Sequence, residues 1–197
     1  MTFEGAPAPR ISLLGGFELR LQQDAVELPP SAQRLLSFLA LKRGTLTRGY
    51  IAGNLWADSD EVQASSSLRS TLWRLRERAQ LIEKTNTHMA LASWVKTDVD
   101  EMTHVSRRLV EGDAPPDAGE VFGLIHSGEL LPGWYDDWLI VEREQVRQRR
   151  LHMLEVACRP SSPVNFGPFE AVAKSGAGVP VAGHARCCCE RACQSPD

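Results

Sequence analysis

Two consecutive prolines, Pro29-Pro30, separate two incompatible hydrophobic periods, and that switch constrains the fold more than any other feature. Before them the pattern is that of strands. Ile11, Leu13 and Leu14 precede a Gly15-Gly16 break, and Phe17, Leu19 and Leu21 then alternate with Glu18, Arg20 and Gln22. Alternation at period two marks a half-buried strand. Gln23-Asp24 can turn the chain, and Val26 and Leu28 begin a return strand. The prolines end it, because proline has no N–H to give to a ladder.

After the prolines the period becomes helical. Ser31 is placed to cap a helix carrying Leu35, Leu36, Leu39 and Ala40, closed by Lys42, Arg43 and Gly44. Thr47 can cap a second, shorter helix, RGYIAGNLW, with Ile51, Leu55 and Trp56 as its inward positions. Asp60, with Gln63 three residues on, resembles a capping box that opens a third helix over 61–79. LIEKTNTHMALASWVKTDV then reads as a hairpin, with Leu81-Ile82 and Met89-Ala90-Leu91 flanking a polar Thr85-Asn86-Thr87-His88 tip. The order is three strands, three helices and a hairpin. The second and third helices are spaced as in a helix-turn-helix with a loosened turn.

The third helix contains SSSLRSTLWRLRER. Wound at ~100° per residue, Leu68, Leu72 and Leu75 fall within about 60° of one another, a narrow core stripe. Gln63, Ser66, Arg69, Ser70, Trp73 and Arg74 cover the other side. Small hydroxylated residues permit close approach, and a helix N-terminus favours anions. Arginines there can reach phosphates or, bidentately, guanine edges. Composition alone fits a solvated face equally well, and Trp73 also fits a half-buried place against the hairpin.

Charge is divided unevenly. Residues 1–97 carry 12 Lys/Arg against 9 Asp/Glu, and residues 98–197 carry 10 against 16. A basic first part is the one expected to meet an anionic partner. From Asp98 the pattern is helical throughout: DVDEMTHVSRRLV carries Met102, Val105 and Leu109 on one face, and EVFGLIHSG follows. Asp136 or Asp137 can then cap a long helix with Trp138, Val141, Val146, Leu151 and Leu154 as its apolar positions. Beyond Val156 no amphipathic period survives, and a stretch rich in proline and glycine cannot readily offset the entropy of ordering itself.

No apolar run approaches the ~20 residues that span a bilayer, and the N-terminus lacks the basic and apolar regions of a secretory signal. All five cysteines lie beyond residue 157, which fits a reducing compartment. A cytoplasmic protein is expected. His184, Cys187, Cys188, Cys189 and Cys193 are clustered, but three adjacent cysteines cannot turn toward one ion without strain, and no second ligand pair exists in the sequence. No metal and no cofactor are expected. Neither G-x-S-x-G, HExxH nor a phosphate-cradling glycine loop occurs, and His88, His104, His126 and His152 are scattered, so an enzyme is not expected.

Taken in order, LPPSAQRLLSFLALKRG, LTRGYIAGNLW and SSSLRSTLWRLR are similar to the DNA-binding domain of the antibiotic regulatory protein (SARP) family of bacterial activators. TDVDEM and GELLPGWYDDWLIVEREQVRQRRLHMLE look like the opening of the bacterial transcriptional activator domain that follows it there. The resemblance covers roughly residues 10–156. It implies an α+β winged helix of the OmpR type over 10–97, with an N-terminal three-stranded sheet, three helices and a C-terminal hairpin. It implies next the truncated start of an all-α, tetratricopeptide-like domain over 98–157. Residues 158–197 are expected to be a disordered tail, and the abrupt loss of period there resembles a reading-frame shift.

The function implied is a sequence-specific transcriptional regulator, an activator bound to direct repeats near a promoter and recruiting RNA polymerase. Its third helix would enter the major groove with Ser66, Arg69, Ser70, Trp73, Arg74 and Arg76. The hairpin wing would lie along the backbone or minor groove with Lys84, Asn86, Thr87 and His88. Polymerase would be met by the acidic loop before the third helix, through Asp58, Asp60 and Glu61. The partners are therefore double-stranded DNA, RNA polymerase and a second copy on direct-repeat DNA, with the protein held at the nucleoid by its DNA. The alternative is a truncated interaction module that occupies promoters without activating them.

Overall fold

The computed structural model describes residues 8–111 and 116–157. The tail 158–197, with all five cysteines and His184, lies outside the described residues.

Strands β1 (Arg10–Ser12), β2 (Glu18–Leu21) and β3 (Asp24–Val26) form the expected antiparallel meander. Ile11 faces Leu19, and Leu19 faces Val26, so one side of the ladder is apolar. Leu21 pairs with Asp24, which places the turn at Gln22-Gln23, one residue earlier than expected, with Gln22 at φ 60°. A fourth strand, unexpected from the sequence, joins the other edge. It is β7 (Lys96–Thr97), parallel to β1, and the sheet order is β3-β2-β1-β7.

Helix α1 (Pro30–Lys42) begins with proline at its first position, where a missing N–H costs nothing. Ser31 is therefore not the cap. Pro29 holds that place, and its carbonyl accepts from the N–H groups of Ala32 and Gln33 at 2.9 and 3.1 Å. Leu35 through Ala40 are all buried, and the helix closes through Arg43 and Gly44, both at positive φ. Strand β4 (Leu46–Thr47) follows, and the Thr47 hydroxyl accepts from the Tyr50 N–H at 3.2 Å, capping α2 (Arg48–Leu55) as expected. Asp60 likewise caps α3 (Glu61–Arg74), accepting from the Gln63 N–H at 2.8 Å.

α3 differs from expectation in two respects. Its buried stripe is Ala64, Leu68, Thr71 and Leu75, with Leu72 only half-buried at the margin. The helix is thus turned away from the centre of its leucines, because the small Ala64 and Thr71 allow close approach to neighbouring elements. It also stops at Arg74, and residues Arg76–Leu81 form a 3-10 turn. That stretch is broken at Arg78, at φ −116° and ψ 23°, and Leu75 and Leu81, one on each side of the break, are both buried. An α-helix running to residue 79 would set them far apart in azimuth.

The hairpin is β5 (Ile82–Lys84) with β6 (His88–Leu91), and β4 adds to it in the order β4-β6-β5. At its tip the Thr85 N–H donates to the His88 carbonyl at 2.9 Å, and the His88 N–H donates to the Thr85 hydroxyl at 3.0 Å. Residues up to 97 therefore form an α+β unit of two small sheets and three helices.

Helices α4 (Asp98–Glu111), α5 (Ala118–Ile125) and α6 (Trp138–Ala157) complete the described chain. Met102, Val105 and Leu109 are buried as expected. On α6 only Trp138 and Val146 of the expected apolar face are buried. Val141, Leu151 and Leu154 are exposed, and Leu139, Glu142, Met153 and Val156 take the inner side.

These helices share one continuous core with the sheet and α1. Phe38 of α1 meets Trp138 of α6 edge to face at 5.2 Å. Ion pairs cross the same seam: Arg10 with Glu101 at 2.6 Å, Lys42 with Glu142 at 2.8 Å, Arg34 with Asp136, and Arg43 with Asp100. In each pair the base belongs to the first 97 residues and the acid to the rest. Gly128, at φ +86°, lies so close to Gly15 that an added Cβ would come within 2.9 Å of its Cα. The Gly15-Gly16 break thus serves as a landing place for the loop before α6, where the Gly15 N–H donates to the Glu129 carbonyl at 2.7 Å.

Asp98 closes the seam at its centre. One carboxylate oxygen accepts from the N–H groups of both Leu13 and Leu14 at 2.8 Å, while the other is buried without a hydrogen bond. Burial pushes its pKa above the ordinary carboxylate value, against the pull of those N–H groups and of Arg10. A raised carboxyl holds its proton in the folded state at a pH where the unfolded chain has released it, so stability falls as pH rises through that window. Asparagine cannot titrate. The stability of the parent relative to Asp98→Asn should therefore decline from ~pH 4 toward neutrality, read from urea midpoints at several pH values. A constant difference across that range would contradict the assignment.

Candidate nucleic-acid interface

The outward face of α3 carries Gln63, Ser66, Arg69, Ser70, Trp73 and Arg74, all exposed, as the winding of the sequence anticipates. Trp73 is 62% exposed, which settles it as an outward residue and not one packed against the hairpin. Arg76 lies just past the helix in the 3-10 turn, and its guanidinium sits over the Trp73 ring, 4.7 Å from the centroid. Arg74 reaches back toward α1, with its guanidinium 3.4 Å from the Ser31 hydroxyl.

The electrostatic environment of these bases differs from that along the seam. Arg10, Arg34, Lys42, Arg43 and Arg108 each pair with a carboxylate. Among the described side chains, no carboxylate lies within ion-pair distance of Arg69, Arg74, Arg76 or Lys84.

At the hairpin tip Lys84, Asn86 and Thr87 are exposed and His88 is half-buried, with the Thr87 hydroxyl 2.7 Å from its Nδ1. Sequence reasoning missed the residue that holds this tip. The Arg48 guanidinium donates to the Thr85 carbonyl at 3.1 Å, and the Arg48 N–H donates to the Thr87 carbonyl at 2.9 Å. The first residue of α2 thereby fixes the tip, and no local pattern announces a contact across 37 positions. α3 and the hairpin are joined only by the Arg76–Leu81 turn, so Arg76 stands at their junction.

The loop between α2 and α3 exposes Asp58 and Asp60, and Glu61 is exposed at the first position of α3. The Asp60 carboxylate is already engaged as a cap, which leaves Asp58 and Glu61 as the free acids. Elsewhere, a cavity of about 400 Å³ is lined by Trp134, Arg143 and Arg150 among others. Arg143 gives its N–H groups to the carbonyls of Leu130, Leu131 and Trp134, which is the work of a loop staple. Among the described residues, no three His, Cys, Asp or Glu side chains cluster as a metal site, and no helix is long and apolar enough to cross a membrane.

No protein-family model matches the chain, and no curated protein matches it significantly.

Proposed function

We propose that the chain is a sequence-specific regulator of transcription that binds double-stranded DNA as a winged helix. In this reading α3 is the recognition helix and β5–β6 the wing. The observation that carries it is that Arg69, Arg74 and Arg76, on and just after α3, meet no carboxylate among the described side chains, whereas Arg10, Arg34, Lys42 and Arg43 pair with acids across the seam. Helix order, the tight α2–α3 pair and the three-stranded β4-β6-β5 sheet support the same reading. The resemblance to the SARP family extends it to an activator on direct repeats, to a second copy on the neighbouring repeat, and to polymerase contact through Asp58 and Glu61.

On this reading Ser66, Arg69, Ser70 and Trp73 face base edges or the inner backbone, while Arg74 and Arg76 meet flanking phosphates. The wing residues Lys84, Asn86, Thr87 and His88 follow the backbone. Arg69→Ala should cost about 1–3 kcal/mol at the preferred site and flatten preference at one base position. Arg76→Ala should weaken all sequences alike and lower the salt slope by about one unit. Titration of each variant against selected and scrambled duplexes at several salt concentrations separates the two. Unchanged binding by both variants would reduce α3 to a solvated face.

A further inference from the structure

We infer that Trp73 is a positioning residue for Arg76, holding its guanidinium as a phosphate anchor formed in advance of binding; this rests on the DNA-binding reading above. Trp73 is 62% exposed on the helix. Its indole face is nevertheless occupied, by Arg76 at 4.7 Å, within the roughly 6 Å over which a cation is drawn to the ring.

The contact depends on where α3 ends. Leu75, at φ −86° and ψ 3°, leaves the helix, and the 3-10 turn begins at Arg76. Trp73 lies in the last turn of α3 and Arg76 just past its end, three positions on, which places the guanidinium over the ring. The guanidinium carbon lies over the ring, and the N–H edge has no acceptor among the described residues. That edge is the part a phosphate takes bidentately.

An arginine loose in solvent gives up rotamer freedom when it binds, whereas a stacked one has already given up part of it. No described carboxylate competes for Arg76, so the stack orients the charge without neutralising it. Its position between α3 and the wing suits the strand of backbone that flanks a helix seated in a groove.

The test is a double-mutant cycle on the full chain, with a duplex recovered by the parent protein from a random-sequence pool. Trp73→Leu keeps apolar bulk and removes the π face. It should weaken binding about two- to fivefold, the worth of an exposed cation–π contact, when Arg76 is present. In the Arg76→Ala background the same change should cost clearly less, leaving only the contact Trp73 itself makes with the duplex, and Trp73→Phe should recover part of the coupling. Equal losses in both backgrounds, or no loss in either, would overturn the inference while leaving DNA binding intact. Failure of the parent to enrich any duplex would instead sink the DNA reading, and this inference with it.

Discussion

A chain ending at Thr97 should lose most of its stability, with a melting transition broadened or lowered by more than ~20 °C relative to the full chain. Removing α4, α5 and α6 uncovers Leu13 and Phe38, both fully buried, each worth about 1.5–3 kcal/mol of burial. It also strips Leu13 and Leu14 of the acceptor for their N–H groups, at about 1–3 kcal/mol for each donor that stays buried. Arg10, Arg34, Lys42 and Arg43 are left without the acids that face them. Against a total of about 5–15 kcal/mol, these losses are most of what exists. Far-ultraviolet dichroism of residues 8–97 during heating checks this. A sharp transition within a few degrees of the parent would mean that the helical segment only rests on the sheet.

Phe38→Ala should cost about 3–5 kcal/mol. Phe38 is fully buried and touches rings on both sides, Trp138 edge to face at 5.2 Å and Tyr50 tilted at 6.0 Å. The void left behind would open between α1, α2 and α6, elements that cannot all close on it together. Tyr135, 92% exposed, supplies the contrast, and Tyr135→Ala should stay within about 0.5 kcal/mol. Urea unfolding of both variants gives the comparison. A loss under ~1 kcal/mol at Phe38 would show that the site collapses freely and that α6 is loosely docked.

Local chemistry was readable and tertiary chemistry was not. Thr47 and Asp60 were legible as caps because a cap is decided by a few adjacent residues. The outward face of α3 was legible because Leu68 and Leu75 fix its azimuth, although Leu72 misdirected it slightly. Strands β4 and β7 escaped notice because two residues cannot display a period. The inner face of α6 escaped because charges surround that helix and its partners choose the side, burying even Glu142 against Lys42. The break at Leu75 was invisible as well, and the Trp73–Arg76 stack went with it. The charge division was seen correctly and read too simply. Four bases of the first part meet acids of the second, so the net charge of that part overstates what it can offer an outside anion.

Strand β7 ends at Thr97 and α4 begins at Asp98, with no residue between them. Lys96 is hydrogen-bonded to the Pro9 carbonyl at 2.9 Å, and the hairpin strand β6 ends only five residues earlier. A flexible tether would give a neighbouring module local concentration and no direction. This join is a stiff coupling instead. Torque applied to the helical segment by anything that grips it passes into β1 and the root of the hairpin with no slack to absorb it. On the proposed DNA-binding function, two such bodies set side by side on a duplex would tolerate a change of spacing only in whole helical turns of roughly 10–10.5 base pairs, because neither could swivel to follow the groove.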